Sequence, residues 1–127
     1  MTTSVTTNTD VAVEFLQMAA TGHAREAMER FGSPTFFHHN PWFRADADSL
    51  ATAMDENARA NPGKSLQVQH TIAEGDLVAV HSRVRHAADG PEAATVHIFR
   101  IVNGRIEELW DIGQDAPAES PNQRGMF

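Results

Sequence analysis

The hydrophobic period of this chain changes once, at Asn61-Pro62-Gly63, and that change restricts the fold more than any other feature of the sequence. On the N-terminal side apolar residues recur three and four positions apart. Val11, Phe15, Met18 and Ala19 mark one amphipathic helix, with Asp10 in its first turn and Gly22 placed to end it. Ala24, Ala27, Met28 and Phe31 repeat the spacing from about His23 until Gly32-Ser33-Pro34 breaks it, so the two segments form a helical hairpin. Thr35 to His39 is β-branched and aromatic and reads as a short strand, stopped where Pro41 restricts Asn40 to extended backbone. After a loop from Trp42 to Ala47, a third helix starts at Asp48 or Ser49, either of which can cap it, and carries Leu50, Met54 and Ala58.

On the C-terminal side the period is two. Leu66, Val68, His70 and Ile72 alternate with Gln67, Gln69 and Thr71, the pattern of a half-buried strand, and Gly75-Asp76 turns it. Leu77 to His86 and Ala93 to Val102 read as two further strands around a polar Gly90-Pro91 loop, and Asn103-Gly104 closes a hairpin onto Arg105 to Ile112. Helices followed by an antiparallel sheet give an α+β domain, because each helix has to bury its stripe on the apolar face of that sheet. Covered by helices, a twisted sheet leaves a hollow of the kind that binds small molecules. Residues 1–9 and the Pro- and Gly-containing tail over 114–127 are expected to be irregular, the tail lying across the surface.

With 127 residues and no break in composition, the chain is expected to form one domain over 1–127. No apolar run approaches the ~18 residues that span a bilayer, so no membrane is expected as a partner. The Thr-rich start lacks the basic and apolar segments of a secretory signal, which makes the cytoplasm the default location. The absence of cysteine excludes disulfides, thiolate nucleophiles and Cys-based zinc sites. A net charge of −7 with dispersed Lys and Arg argues against nucleic acid as a partner.

Three stretches taken together carry a resemblance. Phe37-His38-His39-Asn40-Pro41, then Gly75 through His81, and finally His97-Ile98-Phe99-Arg100 running through Asn103-Gly104-Arg105 to Trp110-Asp111, resemble the SnoaL-like polyketide cyclases, a branch of the superfamily that includes nuclear transport factor 2 and ketosteroid isomerase. The order of elements agrees over nearly the whole chain, and the Gly125-Met126-Phe127 ending is similar to that of small proteins of this branch. The resemblance implies an α+β, cone-shaped nuclear transport factor 2-like fold, with N-terminal helices packed on a curved, mainly antiparallel sheet. It also implies that a histidine on the penultimate strand and an aspartate on the last share acid/base work, roles that fall on His97 and Asp111. In ketosteroid isomerases an oxyanion-binding aspartate stands where His97 stands here, and the base position before a proline holds Asn40 in this chain. With no tyrosine present, that isomerase chemistry does not carry over. Cyclase chemistry does, and it implies no metal and no cofactor.

Aldol-type ring closure needs a base for a proton next to a carbonyl and a donor for the oxygen that becomes an enolate. Asp111 is assigned as base or proton shuttle and His97 as donor to the substrate oxygen. Burial raises the pKa of such an aspartate while a protonated histidine beside it lowers it, so the two are expected to titrate as a coupled pair. Whether they meet depends on the hairpin. A strict two-residue turn at Asn103-Gly104 sets Val96 opposite Asp111 and puts His97 on the other face. A bulge at Gly104 in a three-residue loop shifts the register by one and aligns His97, Phe99 and Ile101 with Leu109 and Asp111, with Glu107 near the open end.

His38 and His39 are strand neighbours that point to opposite faces, so only one enters the site. His39, next to Asn40, is the choice, against a local role in shaping the Asn40-Pro41 turn. Trp42 follows the proline in a loop near the pocket mouth, where an aromatic ring lines a ligand site or an oligomer interface. His81, Phe99 and Trp110 complete the expected substrate-binding set with His39, Asn40 and Trp42. His39, His70, His81, His97 and Asp111 form no His-x-His pair on one strand and no His-Glu-x-x-His helix, so no metal is expected.

Two functions of different class follow. One is an acid/base enzyme acting on a small apolar or aromatic carbonyl compound. The other is a non-catalytic ligand-binding or dimerisation module of the same fold. A homodimer is expected in both, since a curved sheet with an exposed face pairs across a two-fold axis.

Overall fold

The computed structural model describes residues 7–127. Thr7 opens the first helix with a reciprocal cap: its hydroxyl accepts from the Asp10 N–H at 3.0 Å, and the Asp10 carboxylate accepts from the Thr7 N–H at 3.3 Å. Helix α1 is Asn8–Ala20. The expectation of an irregular segment over 1–9 fails at Asn8 and Thr9, which are helical, and its residues 1–6 lie outside the described residues. Helix α2, Ala24–Phe31, follows after the left-handed Gly22, and its free N–H groups are capped from a distance: Asp55 accepts from Ala24 at 2.8 Å and from Arg25 at 3.2 Å.

Strand β1, Gly32–His38, begins directly at the end of α2. A Cβ at Gly32 would stand 2.6 Å from the Met28 carbonyl oxygen, so the hand-off from helix to strand needs glycine. Helix α3, Ala47–Ala60, is capped by Asp46, not by Asp48 or Ser49. Asp46 has the extended backbone of a cap, and its carboxylate accepts from both the N–H and the hydroxyl of Ser49 at 2.8 Å. The strands β2 Ser65–Glu74, β3 Leu77–Arg85, β4 Glu92–Val102 and β5 Arg105–Asp115 complete the chain. β5 runs three residues beyond the expected Ile112, its end held by the Ala93–Asp115 pairing, so the irregular tail starts at Ala116.

The sheet order is β1-β5-β4-β3-β2. β2 to β5 pair as an antiparallel meander, and β1 joins β5 in parallel. This places the end of the first strand beside the middle of the last, which no local pattern specifies. The three helices cover one face, as the alternation requires: Val78, Val80, Phe99, Ile101, Ile106 and Leu109 point inward and bury against Ala12, Phe15, Leu16, Ala27, Phe31 and Leu50. Phe15 meets Phe99 edge to face, with ring centroids 5.8 Å apart. The outer face keeps Phe37, Ile72 and Ile112 exposed. The tail returns across it to lay Phe127 on His81, centroid to centroid 6.1 Å, beneath the Arg83 guanidinium. Among the described residues no helix is long and apolar enough to cross a membrane.

The hairpin takes the register expected of a bulged loop, with His97 opposite Asp111, but reaches it through a strict two-residue turn. Asn103 and Gly104 have φ of 52° and 75°, the left-handed pair of a two-residue turn that matches the twist of its strands. Val102 pairs with Arg105 and Ile101 with Ile106, as a strict turn dictates. The register then shifts, Arg100 pairing with Glu108 and His97 with Asp111. The extra residue is Glu107, not Gly104. The cause is visible in burial: Ile106 and Leu109, three apart, are both fully buried, which strict alternation forbids and one bulged residue allows.

Candidate active site

Because of the bulge, His97 and Asp111 are direct cross-strand partners on the inner face. His97 Nε2 stands 3.2 Å from Asp111 Oδ1. The other carboxylate oxygen accepts from Asn40 Nδ2 at 2.8 Å, a contact made possible by the parallel β1–β5 pairing. Asn40 is itself fixed, because its Oδ1 accepts from the Trp42 N–H at 3.0 Å. Its own N–H donates to His38 Nδ1 at 3.0 Å, while His38 Nε2 lies 2.6 Å from the Arg44 carbonyl oxygen. A carbonyl only accepts and an amide N–H only donates, so the His38 proton sits on Nε2. The buried histidine thereby locks the Asn40 loop over the middle of β5.

Two opposing effects act on Asp111. Burial pushes its pKa up, but the His97 ring and the Asn40 amide outweigh burial and hold the carboxyl below the usual aspartate range. Asp111 is therefore a carboxylate at neutral pH. His97 is 6% exposed, and its Nδ1 has no hydrogen-bond partner among the described residues; neither have the buried hydroxyls of Thr95 and Ser82, which face each other on β4 and β3.

The pair opens onto a cavity of about 570 Å³. Its walls are apolar, from Leu16, Ala19, Leu50, Met54, Leu66 and Val84, with Trp42 and Phe43 beside the opening and Asn40, Thr95, His97 and Asp111 among its polar groups. Trp42 is 84% exposed there. A small, mostly apolar molecule with a few polar atoms suits this lining.

Of the expected site residues, the structure brings together Asp111, His97, Asn40 and Trp42. Four others fall elsewhere. His39 is on the outer face, stacked on Trp110 with centroids 5.1 Å apart and 2.7 Å from Glu108; its neighbour His38 takes the inward position, because β1 pairs His38 with the inward-facing Leu109. Trp110 alternates with Asp111 and must face outward, where Arg100 lies over it. His81 is outward as well, its Nδ1 3.0 Å from that of His70. Phe99 faces inward but is consumed by the core against Phe15. The histidines at 39, 70 and 81 are thus separated by the sheet from His97 and Asp111, and among the described residues no three metal-ligating side chains converge.

Sequence reasoning passed over Asn57, Lys64, His86 and Thr95, which also line the cavity. Thr95 was recoverable, being two residues from His97 on one strand face. Asn57 was recoverable too, lying seven residues after Leu50 and three after Met54 on one face of α3, whereas Lys64 and His86 sit just outside the ends of β2 and β3, where period gives no facing.

Comparison with known proteins agrees with this architecture. The family model described as a SnoaL-like domain matches residues 12–109. Among solved structures, AclR from Streptomyces galilaeus, a proposed hydroxylase, superposes with a TM-score of 0.72 at 20% identity, covering 87% of this chain and 91% of its own. A proposed SnoaL-like polyketide cyclase from Jannaschia sp. gives a TM-score of 0.70 at 17% identity over 90% of both chains. IdmH from Streptomyces antibioticus, a proposed polyketide cyclase, gives 0.69 at 19% identity over 86% of this chain and 93% of its own. No curated protein matches the chain. At these identities the structural likeness establishes the nuclear transport factor 2-like fold.

Proposed function

This chain belongs to the SnoaL-like domain family, and from that premise we propose that it is a cofactor-independent acid/base enzyme of the cyclase or isomerase type, moving a proton next to a carbonyl group of a small, largely apolar compound. The observation that carries the reading is Asp111, ionised and held between His97 and Asn40 on the wall of an apolar cavity. A carboxylate with a lowered pKa is always available as a base but is a weak one. It removes protons efficiently only from carbon that is already acidic, such as carbon flanked by two carbonyl groups. That chemistry suits polyketide-like compounds, in keeping with the cyclase role proposed for IdmH and for the Jannaschia protein.

The roles divide as follows. Asp111 takes the proton. Asn40 commits one amide hydrogen to Asp111 and its oxygen to Trp42, which leaves a second amide hydrogen for the carbonyl oxygen that gains charge. His97 acts on Asp111, since its Nε2 lies against the carboxylate, and so holds the base in place; this replaces the direct donation to substrate oxygen expected from the sequence. A homodimer through the outer sheet face belongs to the same proposal, supported by the exposed Phe37, Ile72 and Ile112.

The test is hydrogen–deuterium exchange at the central carbon of an aromatic 1,3-diketone in D2O, followed by NMR. The wild-type protein accelerates exchange, and Asp111→Asn reduces the acceleration by about 100-fold or more while the diketone still binds. Equal acceleration by both proteins rejects Asp111 as base, and no acceleration by the wild-type protein leaves the chain a binding module.

A further inference from the structure

We infer that Lys64 recognises an acidic group on the ligand, so that the compound this cavity takes is an anionic carbonyl compound with its acid at one end and its reacting carbonyl at the other. This rests on the reading of Asp111 as the group that faces the carbonyl, and it adds the substrate's charge and orientation.

Lys64 is the one Lys or Arg among the described residues that line the cavity. It directly precedes β2, where its backbone N–H donates to Asn61 at 2.9 Å, so its position is fixed by the turn that ends α3. A lysine at such a turn normally extends into water. Here the side chain lies along the cavity wall, and its ammonium donates to Asn57 Oδ1 at 2.7 Å. It makes no ion pair with any described residue, although Asp111 and Asp115 line the same cavity. Burial accordingly pushes its pKa down, and the charge of Asp111 only partly restores it. A partly dehydrated cation with donors to spare and no counter-charge is a costly arrangement unless an anion arrives to pair with it.

The placement also sets the ligand's direction. Ser65, next to Lys64, pairs with Arg85, and Ala93 pairs with Asp115, so this row lies toward one end of the sheet. His97 and Asp111 are four residues further along their strands, about 13 Å of backbone. An acidic group is repelled by the Asp111 carboxylate and drawn to Lys64, which leaves the uncharged carbonyl end against Asp111 and Asn40. A fused bicyclic compound carrying the two groups at opposite ends keeps the acid away from Asp111 and, with an apolar middle, has the polarity for the walls.

The probes are 6-acetyl-2-naphthoate and its methyl ester, measured by titration calorimetry. Wild-type protein is expected to bind the acid about tenfold more tightly than the ester, a preference that weakens as salt is raised. Lys64→Met, checked for native circular dichroism, is expected to bind the two equally, and Lys64→Arg to keep part of the preference. Asp111→Asn does not reduce the preference. Acid and ester binding the wild-type protein equally would overturn the assignment of Lys64 while leaving the carbonyl site intact, and that comparison needs no variant. A preference for the acid that survives in Lys64→Met overturns it too. Failure of both probes to bind overturns this inference together with the cavity reading.

Discussion

Replacing Asn40 by alanine should destabilise the protein by an amount that depends on pH, and the dependence is the informative part. The side chain makes two bonds of different kind. Its Oδ1 accepts from the Trp42 N–H, a neutral bond that contributes about 1 kcal/mol at any pH. Its Nδ2 donates to the Asp111 carboxylate, a charge-assisted bond that contributes about 1.5 kcal/mol, taken at the low end of its class because the Asp111 side chain is 21% exposed. The second contribution exists only while Asp111 is ionised. Its pKa is lower in the folded than in the unfolded chain, so the stability it supplies is present above the unfolded-state value and is lost as pH falls through the folded-state value. Urea unfolding followed by circular dichroism should therefore give a loss of about 2–3 kcal/mol for Asn40→Ala at pH 7, shrinking toward about 1 kcal/mol at a pH below the folded-state value of Asp111. An equal loss at both pH values would refute the claim that Asn40 acts through an ionised Asp111.

Three further outcomes follow. Phe99→Ala should cost about 3–5 kcal/mol by urea unfolding, because the ring is fully buried against Phe15; a cost under about 1 kcal/mol would mean that the helices do not close on the sheet as described. Deleting Glu107 should leave the His97–Asp111 pairing and Asp111-dependent exchange in place, since it removes only the bulged residue and its bond to Thr35; a folded deletion variant without exchange would show that the register is set elsewhere. Ile112→Glu should shift sedimentation from dimer to monomer, and an unchanged dimer would move the interface off the outer sheet face.

The elements of the fold were legible because they rest on local pattern. The helical spacing around Phe15, Phe31 and Leu50 and the alternation from Leu66 onward each produced the element expected. What the sequence did not display was long-range. The cap of α2 is Asp55, thirty-one residues from Ala24, and the choice of His38 over His39 follows from a parallel pairing with a strand about seventy residues away. The outward facing of Trp110 was there to be read, since Asp111 next to it could not be inward otherwise. The bulge was harder: placed at Gly104 or at Glu107 it gives the same His97–Asp111 pairing, and only the buried pair Ile106 and Leu109 distinguishes the two. Lys64 carries no motif at all. Its significance arises from the cavity that distant elements build around it.

The central claim is that Asp111 is a carboxylate held ionised in the cavity by His97 and Asn40, and a pH titration of its carboxyl carbon by NMR tests it most directly. A midpoint below the ordinary aspartate value of about 3.9 is expected. A midpoint at or above that value would mean that burial prevails over the two partners, and the ionised base would have to be abandoned.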